Sequence, residues 1–126
     1  MHKSKLAGFI IDCKTKDLRG AAEFWSAALG MEMRGLAGEE GEKYIRLVSP
    51  TETLHIEVQT VDHESRVHLD IAADDIEAEA ARLEKLGAKR VARIHGWIVM
   101  QAPTGQRFCV VQAKGEQLLA RATTWE

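Results

Sequence analysis

The sequence predicts an α+β fold made of two copies of one β-α-β-β-β module. Two internal matches carry this prediction. Residues 44–59 (YIRLVSPTETLHIEVQ) align without a gap on residues 97–112 (WIVMQAPTGQRFCVVQ). Each segment opens on an aromatic followed by Ile, places Pro-Thr at the same point (Pro50-Thr51 and Pro103-Thr104), and closes on Val-Gln. Upstream, residues 9–18 (FIIDCKTKDL) lie on residues 67–76 (VHLDIAADDI), which sets Asp12 opposite Asp70 and Asp17 opposite Asp75. A repeat of about half a chain decides the architecture before any single element does.

The elements follow the same order in each half. Residues 9–13 are a short apolar run and residues 67–71 alternate; both read as strands. Asp17 then caps a helix whose apolar positions Leu18, Ala21, Ala22, Trp25, Ala28 and Leu29 recur at three- and four-residue steps. Gly30 suits the left-handed position that ends it. In the second half the cap is Asp74 or Asp75, Glu77 complements the positive end of the helix dipole, and Gly87 is the stop. Ile76, Ala80, Leu83 and Leu86 form the expected buried stripe. A weaker strand follows each helix (residues 31–35 and 89–94), then a turn and two strands joined through Pro-Thr. Residues 38–43 (GEEGEK) read as a solvated loop, longer than its counterpart at His95-Gly96.

One such module cannot cover both faces of its sheet. The expected arrangement is one domain over residues 1–126, with module one at about 6–61, module two at about 66–113 and a tail at 114–126, the modules pairing into a curved mixed β-sheet that forms a cleft. Composition agrees. A chain of 126 residues, 45% hydrophobic, is sized for one domain. A net charge of −2 supplies no electrostatic reason to expect nucleic acid. No apolar run approaches the ~18 residues of a membrane span, and the first residues lack the apolar stretch of a signal peptide. Cys13 and Cys109 are too few for a disulfide framework. The expectation is a cytoplasmic protein.

The helix pattern DL-x₂-AA-x-FW-x₂-ALG, containing Phe24-Trp25 and Ala28-Leu29-Gly30, together with Arg66-Val67-His68-Leu69-Asp70 and the P-T-G-x₂-F-C-V segment, resembles the vicinal oxygen chelate superfamily. The likeness is to its small glyoxalase/bleomycin-resistance/dioxygenase members and covers about residues 7–113. It implies that fold, and a divalent ion held by one His, Gln or Glu on the first strand and one on the last strand of each module. It also implies the activities of such members, a lyase, isomerase or dioxygenase acting on vicinal oxygens, or metal-free binding of a small molecule. Homodimers are common among them, and the exposed sheet edges agree with a dimer. Carried over by position, the four ligand sites fall on Ile10, Ile56 (by the gapless alignment), His68 and Cys109. His68 alone matches the pattern.

The strand at residues 54–59 has a second register. Leu54, Ile56 and Val58 share one face, and His55, Glu57 and Gln59 the other. Burial of the apolar set against the helix turns Glu57 toward the cleft and makes it, with His68, a candidate metal ligand; a one-residue slip reverses this. His68 reads as metal ligand, general base or hydrogen-bond partner, or as a strand histidine kept for packing. Asp12 and Asp70 read as a carboxylate pair suited to proton transfer, or as acceptors for backbone or Arg donors. Cys109 reads as a nucleophile or soft ligand, or as a small buried hydrophobe. Trp97, Ile10 and Cys109 are candidate walls of a ligand site, and Trp25 is core. Cys13 has helix-side parity and Cys109 cleft-side parity, so a disulfide between them is not expected. His2, His55, His63 and His95 show no common pattern. The leading functional expectation is a protein that binds a small organic molecule in the cleft without the complete family metal site; the alternative is the metal-dependent enzyme.

Overall fold

The computed structural model describes residues 1–114 and 121–126. The chain divides into two compact units, residues 8–67 and residues 1–7 together with residues 68–126. These carry strands β1 (His2–Lys14), β2 (Glu32–Gly35), β3 (Tyr44–Val48), β4 (His55–Val61), β5 (Arg66–Ala73), β6 (Lys89–Ile94), β7 (Trp97–Gln101), β8 (Arg107–Gln112) and β9 (Thr123–Trp125), and helices α1 (Leu18–Leu29), α2 (Glu40–Lys43) and α3 (Ile76–Lys85). The fold is α+β with mixed, open sheets, as the repeat implies.

In the first unit, residues 8–14 of β1 run parallel to β4, β3 is antiparallel to β4, and β2 is antiparallel to β3. Helix α1 begins because the Asp17 side chain accepts a hydrogen bond from the Gly20 N–H, and it ends at Gly30, whose φ of 67° is the left-handed value that a residue bearing Cβ resists. Its face packs Ala22, Trp25 and Leu18 against Ile11, Leu47, Ile56 and Val58. Ala22 and Val58 are fully buried, so the small side chain on the helix admits the sheet closely. Burial thus decides the register of β4. Ile56 and Val58 face the helix, while His55, Glu57 and Gln59 share the opposite face with Gly8, Ile10 and Asp12, their partners on β1.

The second unit repeats the plan. Strands β5 and β8 are parallel, β7 is antiparallel to β8, and β6 to β7 with a bulge between Arg90 and Ala92. The Asp75 side chain caps α3 by accepting from the Ala78 N–H. Ile76, Ala80 and Leu83 pack on Ile98, Met100 and Val110. Leu86, expected on that stripe, is exposed instead; it follows the last helical residue and has left the helical face. The position that shares the stripe is occupied by Glu79, which is fully buried.

Three local expectations are corrected. Residues 38–43 are not loop throughout: the exposed single turn α2 lies within them, with Glu40 and Glu42 in its first turn and Lys43 in its last, an order that complements the helix dipole. The first strand begins at His2 rather than Phe9. Finally, the tail supplies a ninth strand, since residues 123–125 pair antiparallel with residues 2–4. Residues 115–120 of the expected tail lie outside the described residues.

Candidate functional site

In each unit the helix covers one sheet face and leaves the other to a mixture of polar and apolar side chains. The alternation of β5 places His68 and Asp70 on the helix-free face, and the parallel register sets Asp70 beside Cys109 on β8. Val99, opposite Cys109 on β7, extends this face toward Trp97. His68 Nε2 lies 3.6 Å from Asp70 Oδ1, and both side chains are mostly buried. One donor atom each from His68, Asp70 and Cys109 falls within a spread of 4.8 Å. Of the residues named from the sequence, these three are brought together. Trp97 stands at the start of β7 with its ring 5.8 Å from that of His95.

The first unit carries the other named residues. Ile10 and Asp12 follow each other on the helix-free face of β1, opposite Glu57 and Gln59. Asp12 is almost wholly buried, and its carboxylate lies 4.0 Å from the Arg66 guanidinium. Glu57 lies 3.2 Å from the His55 imidazole. The Gln59 amide donates to the Tyr44 hydroxyl at 2.9 Å. Cys13 turns to the helix side, where burial pushes its thiol pKa up, a hydrogen bond from Trp25 works against that, and the neighbouring Asp12 charge adds to the rise. Both cysteines are free thiols.

A second buried polar cluster escaped the sequence reading. His2 Nε2 lies 2.8 Å from Glu79 Oε1, and Arg82 donates to both Glu79 oxygens at 2.8 and 2.9 Å. Trp125 donates its indole N–H to the Ser4 hydroxyl, and the Arg82 guanidinium stacks 3.7 Å above the Trp125 ring. Burial alone pushes the Glu79 carboxyl up; hydrogen bonds from Arg82, His2 and Ser4 outweigh it and hold the pKa at about 2. The available signal was position, since Glu79 stands three residues after Ile76 and four before Leu83, on the buried stripe.

Residues 8–111 match the family model described as a glyoxalase-like domain. No curated protein matches the chain. Among solved structures the chain is similar to a hypothetical protein from Bacillus halodurans C-125, at a TM-score of 0.64 and 12% identity over 90% of this chain and 96% of that one. It is similar to methylmalonyl-CoA epimerase from Mycobacterium tuberculosis, at a TM-score of 0.60 and 16% identity over 89% and 91% of the two chains. It also resembles the Mn(II)-bound glyoxalase from Novosphingobium aromaticivorans, at a TM-score of 0.59 and 19% identity over 89% of this chain and 40% of that one. At these identities the likeness is one of fold.

Proposed function

The chain belongs to the glyoxalase-like domain family, and from that premise we propose that it binds a small organic molecule against the helix-free face of β5 and β8. The observation that carries this reading is the convergence of His68, Asp70 and Cys109 on one mostly buried patch. Hydrogen bonds made in such surroundings discriminate strongly, because an unmatched polar group there stays desolvated. The His68 imidazole, beside the Asp70 carboxylate, can accept a proton from a bound molecule, and that carboxylate favours the imidazolium so formed. Cys109 and Trp97 are the apolar walls. Taken by itself, the first unit offers Ile10, Asp12 and Glu57 as proposed ligand contacts on its own helix-free face, with Asp12 as a proton acceptor. The names of two neighbours, an epimerase of methylmalonyl-CoA and a glyoxalase, point the same way.

One observation favours a second reading, in which the chain is a metal-dependent lyase, isomerase or dioxygenase. A spread of 4.8 Å among an imidazole nitrogen, a carboxylate oxygen and a thiol sulfur is compatible with three ligands of one ion. That donor set fits Zn²⁺ better than Mg²⁺, which prefers oxygen alone. His68, Asp70 and Cys109 would hold the ion in place of the His68–Glu57 pair considered from sequence, since Glu57 already engages His55. When bound, such an ion polarises a substrate oxygen as a Lewis acid.

Metal analysis of protein purified without chelator, with thermal melts in Zn²⁺, Mn²⁺ and Mg²⁺, tests both. A ligand of the folded state raises the melting temperature. The leading reading expects no bound metal and no shift, with His68→Ala only weakening small-molecule binding. Near-stoichiometric zinc, with a Zn²⁺-dependent rise lost in both His68→Ala and Cys109→Ser, would replace it with the second. We also propose a cytoplasmic homodimer. Strands β2 and β6 each pair on one side within their units, and no helix among the described residues is long and apolar enough to cross a membrane. A monomeric mass by sedimentation at micromolar concentration would remove the dimer, and recovery in a membrane or exported fraction the location.

A further inference from the structure

Two arginines stand directly opposite each other where β2 meets β3. Arg34 and Arg46 are Cα partners in the antiparallel register. Like charges in that relation repel, and side-chain pairs across strands ordinarily avoid it. No ion pair within 4.0 Å joins either guanidinium to a carboxylate among the described residues. The nearest candidate by register is Glu57, the partner of Arg46 on β4, but it lies against His55 at 3.2 Å. The cost extends to hydrogen bonding: Arg46 Nε is buried and finds no acceptor among the described residues. An unmet guanidinium N–H inside a protein is expensive to keep.

Both arginines line a cavity of about 600 Å³ contained within the first unit. Its wall also carries Glu32, Ser49 and Glu52, with Leu47 and Leu54 as apolar surface. The Glu52 carboxylate is tied to the Leu54 N–H at 2.9 Å, which fixes it at the wall. The cavity thus offers paired cationic donors and, separately, two carboxylates.

We propose that this cavity is a binding site for an organic carboxylate that also carries a hydrogen-bond donor, such as a hydroxy acid or an amino acid. The carboxylate would lie between the Arg34 and Arg46 guanidinium groups, accept from their Nη–H donors and remove the like-charge repulsion. The donor end would reach Glu32 or Glu52. Those two acidic groups also set the selectivity: they disfavour a phosphate dianion, which gains from the arginines but is repelled by both glutamates. This site lies on the other unit from His68, Asp70 and Cys109, and its test does not depend on that cluster.

Arginine side-chain Nε–Hε resonances of the full chain, recorded by ¹H–¹⁵N NMR, test the proposal. Glycolate, glycine, acetate and inorganic phosphate are each titrated at constant ionic strength, with chloride as the control. The Arg46 resonance is assigned by its absence in Arg46→Lys. Glycolate or glycine should move it along a saturable curve, with at least tenfold weaker affinity in Arg34→Gln; acetate should bind more weakly than glycolate, and phosphate more weakly still. Glu32→Gln and Glu52→Gln, separately and together, should narrow the gap between glycolate and phosphate. A non-saturating drift shared with chloride would overturn the proposal, and so would phosphate binding as tightly as glycolate. If Arg46→Lys fails to fold, the Arg34 resonance, assigned by its absence in Arg34→Gln, is followed instead, and binding unchanged in that variant on the remaining arginine signals would equally overturn the proposal.

Discussion

Glu79 shows how a single residue can carry a charge into a core. Its carboxylate is fully buried, yet Arg82 grips both oxygens and His2 and Ser4 supply further donors. Removing one member of such a set is worse than never having had it, because the remaining charges stay buried and unmatched. Glu79→Gln should therefore cost roughly 3 kcal/mol, measurable by urea unfolding. The pH dependence follows from the direction of the shift. A carboxyl depressed from 4.5 to about 2 contributes stability that is complete above the unfolded value and is lost as pH falls toward the folded one. The parent should therefore lose stability between about pH 4.5 and pH 2, and Glu79→Gln should show a flatter acid limb. Cys13 gives a kinetic counterpart. Its raised pKa leaves less thiolate, so alkylation by iodoacetamide at pH 8 should be several-fold slower than for a free thiol. Labelling as fast as a model thiol would contradict that placement.

Helix starts and stops were the most legible elements. Asp17, Asp75 and Gly30 do what their residue types predict, because a cap is a local bond between neighbours in sequence. Asp17→Ala should cost about 1 kcal/mol through loss of the bond to the Gly20 N–H. The ends of β1 were not legible for the opposite reason. Residues 2–6 show no apolar alternation, since the buried positions are His2 and Ser4, and what makes burial tolerable there comes from Glu79 and Trp125, far away in sequence. The register of β4 was open between two readings until the helix side was known, and apolar burial decided it. Gly8 shows how tightly β1 and β4 meet: a Cβ there would run into the backbone of His55. Gly8→Ala should lower the melting temperature by several degrees, with the strands forced apart, and a silent substitution would refute the close approach.

For the whole molecule, the repeat was enough to give the architecture, because each module solves the same problem of covering one sheet face with one helix. It said less about chemistry. The convergence of His68, Asp70 and Cys109 depends on a parallel register between β5 and β8 that no local pattern encodes, so the three residues were candidates without a common geometry. The tail strand belongs to this scale as well. Truncation after Arg121 removes β9, the Trp125–Ser4 bond and the stack on Arg82, and should destabilise the second unit. Because Trp125 and Glu79 share Arg82, Trp125→Ala and Glu79→Gln should be non-additive by at least 0.5 kcal/mol or so in a double-mutant cycle.

That same tail sets an order on how the protein is made. Residues 8–67 form a compact unit within one stretch of chain, so the first unit can fold while the ribosome is still extending the rest. Residues 1–7 precede that unit in the chain, yet their partners, α3 and the strand at 123–125, come after it. A segment made before the first unit thus finds its place only after the second has been made, and the His2 imidazole it carries must wait for Glu79.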